Sequence, residues 1–217
     1  MSISELFKTW AALLVLRLKA AWDSLFSRTK AEGDDTYIRA YYPAFKKALQ
    51  QFNFPGLRAI EFGGSNQIVK SFLPQAQYEI APNFPEVDIQ NLKDYKDQTY
   101  DLVVLDMVLE HCEDPFKSMK EIHRVLKPGG TLAATVPFLL YIHPTPDDYW
   151  RFTESGIKKL CENFSKVEVS YWGNRVAMGL INKYGMGISF AQARWLLSFS
   201  LRNENKFPIA YWFLAKK

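Results

Sequence analysis

The sequence has 217 residues, enough for one well-buried domain and too few for two of ordinary size. It is 48% hydrophobic and 23% charged, and no apolar run reaches the roughly 20 residues that a membrane span needs. Two cysteines make no disulfide framework, no metal-ligating cluster stands out, and a cytoplasmic, reducing compartment is expected. Most of the net charge of +4 lies in the first thirty residues, which carry five basic and two acidic side chains. The nearly neutral remainder argues against nucleic-acid binding.

Residues 1–30 are predicted to form an amphipathic helix ahead of the main domain. Its apolar residues recur at helical spacing and form one stripe: Ile3, Phe7, Trp10, Leu14, Leu18, Ala21 and Leu25. Arg17 and Lys19 interrupt the apolar core that a secretory signal requires. The stripe fits packing on the domain or on a partner, which we prefer. Its tryptophans with basic neighbours also fit an interfacial anchor, so peripheral membrane contact stays open.

Residues 31–217 have the pattern of one domain in which strands and helices alternate. Helices are predicted over residues 37–52 and over "DPFKSMKEIHRVL", which "KPGG" closes. Strands are predicted at "LRAIEF", "AQYEI", "EVDI", "YDLVVLDM", "TLAATVPF", "VEVSYWG" and "PIAYWFLAKK". Such alternation predicts a parallel sheet with helices on both faces. A helical insertion at about residues 177–205 fits a substrate lid, a homodimer surface or a membrane-contacting element.

Open parallel sheets bind ligands beyond the carboxyl ends of their strands, so the residues there are candidate binding groups. The first predicted strand reaches Glu61, and Gly63 with Gly64 then allows a tight turn close to a ligand. Glu79 lies at the end of the second strand, where a carboxylate can accept both hydroxyls of a ribose. A plain turn and a solvated surface glutamate are the alternative interpretations.

The third predicted strand supplies Asp88, which can accept from an exocyclic amine such as that of adenine, and Ile89, which offers an apolar wall. A turn cap is the alternative role for Asp88. Gln67 and Ile68 stand where a dinucleotide-binding turn would carry small residues, and no phosphate-binding lysine is present at this turn. The turn therefore argues against a nicotinamide cofactor.

The motifs between residues 57 and 138 resemble, in order, those of the class I S-adenosylmethionine-dependent methyltransferases, most closely the type 11 group. The likeness rests on "IEFGGSN", "YEI", "VDIQNL", "YDLVVLDMVLEH" and "DPFKSMKEIHRVLKPGGTLAATVPF". It implies a Rossmann-like, doubly wound α/β sheet of seven strands, mostly parallel with the last strand antiparallel. It also implies S-adenosylmethionine as the cofactor and a methyl transfer that requires no metal.

The resemblance further implies that the strand-end residues bind this cofactor. The residues are Glu61, Gly63, Gly64 and Ser65 for the methionine part, Glu79 for the ribose, Asp88 and Ile89 for the adenine, and Asp106 and Met107 near the sulfonium. His111 would lie close to the transferred methyl group and is one candidate base.

The stretch "HPTPDDYWRFT", residues 143–153, follows the fifth predicted strand, where a substrate would meet the cofactor. His143 titrates near neutrality and can take a proton from a hydroxyl during methyl transfer. Asp147 or Asp148 can orient that imidazole or bind substrate hydroxyls, and Tyr149 and Trp150 offer flat faces to a sugar or ring. Arg151 can bind a carboxylate or phosphate through two parallel bonds. Of these residues, we expect His143, Asp147, Tyr149 and Arg151 to face the ligand, and with His111 they are the candidate catalytic and substrate-binding groups.

The same stretch also fits a structural corner. Asp148 and Arg151 would then pair with each other, and the aromatic residues would pack beneath the following helix, which Thr153 is predicted to cap. We expect Trp150 and Phe152 to pack in either case.

The predicted function is methyl transfer from S-adenosylmethionine to a small molecule or glycan, with a hydroxyl oxygen as the favoured acceptor. Nitrogen and carbon acceptors stay open. The alternative is a non-catalytic binding or scaffold subunit that keeps the fold. A nicotinamide oxidoreductase is a third interpretation, weakened by the missing third glycine of the turn.

Overall fold

The computed structural model describes residues 41–63, 68–144, 146–184 and 202–217. The helix predicted over residues 1–30, the turn residues Gly64 and Ser65, and residues 185–201 of the predicted insertion lie outside these ranges. Within them, no helix is both long enough and apolar enough to cross a membrane.

Six strands form one sheet in the described part of the chain. They are β1 (Arg58–Phe62), β2 (Gln77–Ile80), β3 (Tyr100–Asp106), β4 (Leu126–Pro137), β5 (Lys166–Trp172) and β6 (Ala210–Lys216). Their order across the sheet is β2-β1-β3-β4-β6-β5. β2, β1, β3 and β4 pair in parallel, and β6 runs antiparallel between β4 and β5. The predicted α/β architecture with an antiparallel last strand is confirmed.

Five helices cover the two faces of the sheet in the described ranges. They are α1 (Tyr42–Leu49), α2 (Ile68–Phe72), α3 (Pro115–Val125), α4 (Glu154–Leu160) and α5 (Arg175–Tyr184). Short 3-10 turns span Gln50–Phe52 and Leu109–His111. The Thr153 hydroxyl accepts from the Gly156 N–H at 3.1 Å, so its predicted capping of α4 is confirmed.

The central strand β3 separates two apolar cores. Val103 and Leu105 pack on the face covered by α3 and α4, and Leu102 and Val104 on the face covered by α1, α2 and α5. All four side chains are fully buried. Burial on both faces explains why "YDLVVLDM" is an unbroken apolar run rather than an alternating one.

The strand predicted at "EVDI" is wrong, because this segment is a turn. The Asp88 side chain accepts from the Gln90 backbone N–H at 2.9 Å, and the Asp88 carbonyl accepts from the Asn91 N–H at 2.9 Å. An aspartate that bonds the chain two residues ahead turns the backbone away from a ladder. The "KPGG" segment behaves only in part as predicted: Gly129 has a φ of 77°, but the segment lies within β4, where the register against β3 shifts, and is not a separate turn before the strand.

Gly173, directly after β5, cannot accept a side chain. Its φ is 140°, and a Cβ would lie 2.4 Å from the Ile209 nitrogen and 2.8 Å from the Phe207 carbonyl oxygen. We expect Gly173→Ala to lower the free energy of unfolding by roughly 1–3 kcal/mol from backbone strain alone, with the clash adding to it. Urea unfolding followed by circular dichroism measures the change.

Gly179 is the matched control, because it lies inside α5 with open space where a Cβ would be. Gly179→Ala should leave the stability unchanged or raise it by up to about 1 kcal/mol. Equal unfolding midpoints for the two variants would contradict the close packing around Gly173.

Candidate active site at the carboxyl edge of the sheet

The parallel strands β1, β3 and β4 end at one edge of the sheet. β1 is followed by the turn at Gly63, and β3 by the 3-10 turn that carries His111. β4 leads into the loop that carries His143. Two groups of polar side chains assemble there, one around Asp106 and one around Glu110.

Asp106, the last residue of β3, accepts hydrogen bonds from three hydroxyl groups. The Thr135 hydroxyl donates to Oδ1 at 2.6 Å, and the Tyr41 hydroxyl donates to the same oxygen at 3.0 Å. The Tyr42 hydroxyl donates to Oδ2. Thr135 is opposite Asp106 in the β3–β4 ladder, and both tyrosines are buried where α1 begins. Three neutral donors thus orient the carboxylate without cancelling its charge.

Glu61 adds a second carboxylate on the same face of the sheet. It pairs with Val104 across the β1–β3 ladder, and Asp106 is two residues further along β3. The Glu61 side chain is buried, and its Oε2 accepts from the Tyr78 hydroxyl at 2.7 Å. Burial and the Glu61 charge raise the pKa of Tyr78 far above its usual value, so this hydroxyl stays a donor. The two carboxylates make this edge attractive to a cationic ligand.

The turns that follow β1 and β3 pack directly against each other. Gly63 has a φ of 76°, and a Cβ there would lie 2.4 Å from Cγ2 of Val108. Met107 has a φ of 56°, which is unusual for a residue with a side chain, and its N–H donates to the Thr135 hydroxyl oxygen at 3.0 Å. Strained backbone of this kind is concentrated at ligand sites, which fits the predicted roles of Gly63 and Met107.

Two other predicted cofactor residues make different contacts. Glu79 pairs with Ile60, so its side chain is on the opposite face of the sheet from Glu61, and it accepts from the Tyr100 hydroxyl at 3.1 Å. Asp88 accepts from both the backbone and the side-chain amide of Gln90, at 2.9 and 3.1 Å. These contacts bring neither residue into the Asp106 group. Ile89, next to Asp88, is buried in the core. Their cofactor roles stay predictions.

The rings of His111 and His143 meet edge to face, with centroids 5.1 Å apart. Nδ1 of His111 lies 2.5 Å from the Asp147 carbonyl oxygen. Nδ1 of His143 lies 3.4 Å from the Tyr141 carbonyl oxygen and 3.2 Å from Oδ2 of Asp148. Because a carbonyl oxygen only accepts, each Nδ1 carries the hydrogen, and each neutral ring keeps its lone pair on Nε2.

Both Nε2 atoms are close to Glu110. They lie 3.8 Å (His111) and 3.9 Å (His143) from its Oε1. The Glu110 side chain is 0% exposed, and neither of its oxygens has a hydrogen-bond partner among the residues that the structure describes. Burial raises the pKa of Glu110 to about 8, and burial lowers the pKa of His143 below its usual value. Sequence reasoning identified both histidines and missed the carboxylate between them.

The corner after His143 is held by an ion pair. Two guanidinium nitrogens of Arg151 bond the two carboxylate oxygens of Asp148, with Nη2–Oδ2 at 2.7 Å. The Asp148 side chain is 1% exposed, and this pairing holds its pKa at about 2. Asp148 also accepts from the His143 backbone N–H at 2.9 Å. The structural pairing set out as the alternative for Arg151 is therefore present, and the pair positions His143.

The aromatic residues of the corner divide as predicted in part. Phe152 is buried, whereas Trp150 stacks on it and donates its indole N–H to the Cys112 carbonyl while staying 40% exposed. Tyr149 is half exposed, and its hydroxyl donates to Asp147 at 3.3 Å. An apolar surface thus borders the histidine pair.

Tyr41, Tyr42, Thr135 and Glu110 have direct roles at this edge that the sequence did not assign. The tyrosines carry no local signal, because they meet Asp106 only once α1 packs on the sheet. Glu110 did carry a signal: a carboxylate stands next to His111 just beyond a strand end.

Comparisons with known proteins bear on the fold. Residues 62–134 match the methyltransferase domain family. No curated protein matches the sequence. Among solved structures, the chain is similar to an S-adenosylmethionine-dependent methyltransferase from Mesorhizobium loti, with 15% identity, a TM-score of 0.54, and coverage of 82% of this chain and 98% of that chain.

Two further structures are similar. One is a methyltransferase of the same cofactor class from Archaeoglobus fulgidus, with 16% identity, a TM-score of 0.51, and coverage of 81% of this chain and 94% of that chain. The other is phosphoethanolamine N-methyltransferase 2 of Haemonchus contortus, in complex with phosphomonomethylethanolamine and S-adenosylhomocysteine. Its identity is 14%, its TM-score 0.52, and the match covers 83% of this chain and 56% of that chain.

The chain thus has the fold of the class I S-adenosylmethionine-dependent methyltransferases, and its middle third matches their methyltransferase domain. The resemblance inferred from the order of its motifs is confirmed.

The hydroxyl of Thr135 should stabilise the Asp106 carboxylate. We expect Thr135→Val to lower the free energy of unfolding by about 1–3 kcal/mol, because the substitution removes a buried donor to a charged group. Thr131→Val is the control, since Thr131 is on the same strand and face and is also buried. Differential scanning calorimetry compares the two variants, and an equal loss would show that the Thr135–Asp106 bond has no net effect.

Proposed function

We propose that the protein is an S-adenosylmethionine-dependent methyltransferase that methylates a hydroxyl oxygen of a small molecule or glycan. The observation that carries this proposal is the match of residues 62–134 to the methyltransferase domain, in a fold that brings Asp106 and His143 to one edge of the sheet. The complex of the Haemonchus contortus neighbour with S-adenosylhomocysteine supports the choice of cofactor.

The residues at this edge fit a cationic cofactor. When bound, S-adenosylmethionine supplies a methyl group on a positively charged sulfur. Asp106 and Glu61 carry negative charges oriented by neutral hydroxyls, so both can stabilise that positive charge. Gly63 lets the backbone approach the ligand where a side chain would meet Val108. The protein's task is then to align the acceptor and exclude water.

The histidine pair fits the acceptor. Each neutral imidazole keeps a lone pair on Nε2, at a site that is partly exposed: the His111 and His143 side chains are 15% and 23% exposed. Such a lone pair can take the proton of an acceptor hydroxyl. The exposed faces of Tyr149 and Trp150 can stack on a sugar or a ring.

Isothermal titration calorimetry of the full chain with S-adenosylmethionine and with S-adenosylhomocysteine tests the proposal. Wild-type protein should bind both. Binding of neither would favour the scaffold alternative, and binding of a nicotinamide cofactor instead would favour an oxidoreductase.

Gly63→Ala should weaken binding of S-adenosylhomocysteine by more than about tenfold, because the new methyl group forces apart the turns after β1 and β3. Gly56→Ala is the matched control: Gly56 also has a positive φ, 88°, but has open space around its Cβ position. Both variants carry backbone strain, but only Gly63 lies at the carboxyl end of β1 and packs against Val108, whereas Gly56 precedes that strand. Equal affinities of the two variants would contradict a ligand site at this turn.

His143→Gln should lower the rate of methyl transfer by about 100-fold or more while the affinity for S-adenosylhomocysteine stays within about twofold. The rate is the transfer of label from methyl-labelled S-adenosylmethionine to a small-molecule extract of the source cells. His123→Gln is the control, because His123 packs on Phe164 away from the histidine pair. Parallel losses of rate and affinity would mean that His143 is structural.

A further inference from the structure

We propose that Glu110, His111 and His143 form a binding site for a first-row divalent transition-metal cation. The inference stands on the chain's own side chains and does not require methyl transfer. It departs from the sequence-based expectation that no metal site is present.

The three ligand atoms already lie close to a coordination geometry. Oε1 of Glu110 is 3.8 Å from Nε2 of His111 and 3.9 Å from Nε2 of His143, and all three atoms lie within 4.8 Å of one another. Nitrogen and oxygen ligands about 2.1 Å from a tetrahedral ion lie about 3.4 Å apart. Closing the site around an ion therefore requires small side-chain movements and no change of backbone.

Glu110 gives the independent indication that something belongs there. Its carboxyl group is fully buried, yet within the described part of the chain neither oxygen has a hydrogen-bond partner. Buried polar groups in native proteins are nearly always paired, and an unpaired carboxylate is costly. A cation bound at Oε1 would supply the missing partner.

The groups around the histidines orient them as metal ligands. The Asp147 carbonyl fixes the Nδ1 hydrogen of His111. The Tyr141 carbonyl fixes that of His143, with Asp148 at 3.2 Å. Metal-bound histidines are typically held in this way, through the nitrogen that does not touch the metal. Arg151 in turn holds Asp148, so the support extends one residue further.

The ligand set selects the class of ion. Two imidazoles with one carboxylate suit zinc, iron or nickel better than magnesium or calcium, which prefer oxygen ligands. Three protein ligands leave coordination positions open. Solvent reaches the site from the imidazole side, since both rings are partly exposed and Glu110 is not. An oxygen atom of a substrate could therefore complete the coordination, and this last step rests on the proposed function.

The test is calorimetric titration of chelator-treated, full-length protein with Zn²⁺, in the absence of any methyl donor. Wild-type protein should bind one equivalent, and Co²⁺ in its place should give visible absorption bands that Zn²⁺ abolishes. Glu110→Gln and His143→Gln should each weaken Zn²⁺ binding by at least about 100-fold, because even substitutions of groups that only orient a metal ligand cost about 10- to 100-fold. His123→Gln, which changes the one other histidine of the chain, should bind Zn²⁺ as the wild type does.

Stoichiometric Zn²⁺ binding that survives in both Glu110→Gln and His143→Gln would overturn the proposal, as would wild-type protein that binds no Zn²⁺ or Co²⁺. Far-ultraviolet circular dichroism checks that each variant is folded, and either variant alone suffices if the other is not. Zn²⁺ binding without S-adenosylhomocysteine binding would leave the metal site standing and remove the proposed function. S-adenosylhomocysteine binding without Zn²⁺ binding would leave the proposed function standing and remove the metal site.

Discussion

The carbonyl oxygen of Glu110 is the point on which the candidate site depends. It accepts from the backbone N–H groups of Tyr149 at 2.8 Å and Trp150 at 3.2 Å, and these bonds dock the corner after β4 onto the 3-10 turn after β3. The docking places His143 beside His111 and buries the Glu110 side chain. Without this docking, the two loops that carry the histidines would not be held together.

Several carboxylates lie at the carboxyl edge of the sheet, and each has different partners. Asp148 is neutralised by Arg151, whereas Asp106 is held by hydroxyls that leave its charge in place. Glu110 is buried without a hydrogen-bond partner. Folding alone would be better served by a pairing like that of Asp148 at every position. The two proposed cationic ligands, a sulfonium near Asp106 and a metal cation near Glu110, would each face one of these carboxylates.

Much of the fold could be predicted from the sequence, because its signals are local. The apolar run of β3, which is buried on both faces, and the Thr153 cap of α4 can each be recognised from residues that are close together in the sequence. The segment at Asp88 was mistaken for a strand because a short apolar–acidic pattern fits a strand and a turn equally well. The site was predicted less completely. The contacts of Tyr41, Tyr42 and Glu110 exist only after distant elements pack, and no spacing in the sequence encodes them.

The two proposals assign the same atom, Nε2 of His143, to different partners. A free lone pair there could act as a base, whereas an Nε2 that held a metal could not, because its lone pair would be used in the coordination. The complete burial of the Glu110 side chain favours a metal at Nε2 of His143. A lone base needs only a histidine and a group that orients it, and Asp148 with the Tyr141 carbonyl already provides that. A second histidine and a fully buried carboxylate 3.9 Å from Nε2 of His143 are additional groups, and a metal site would use both as ligands.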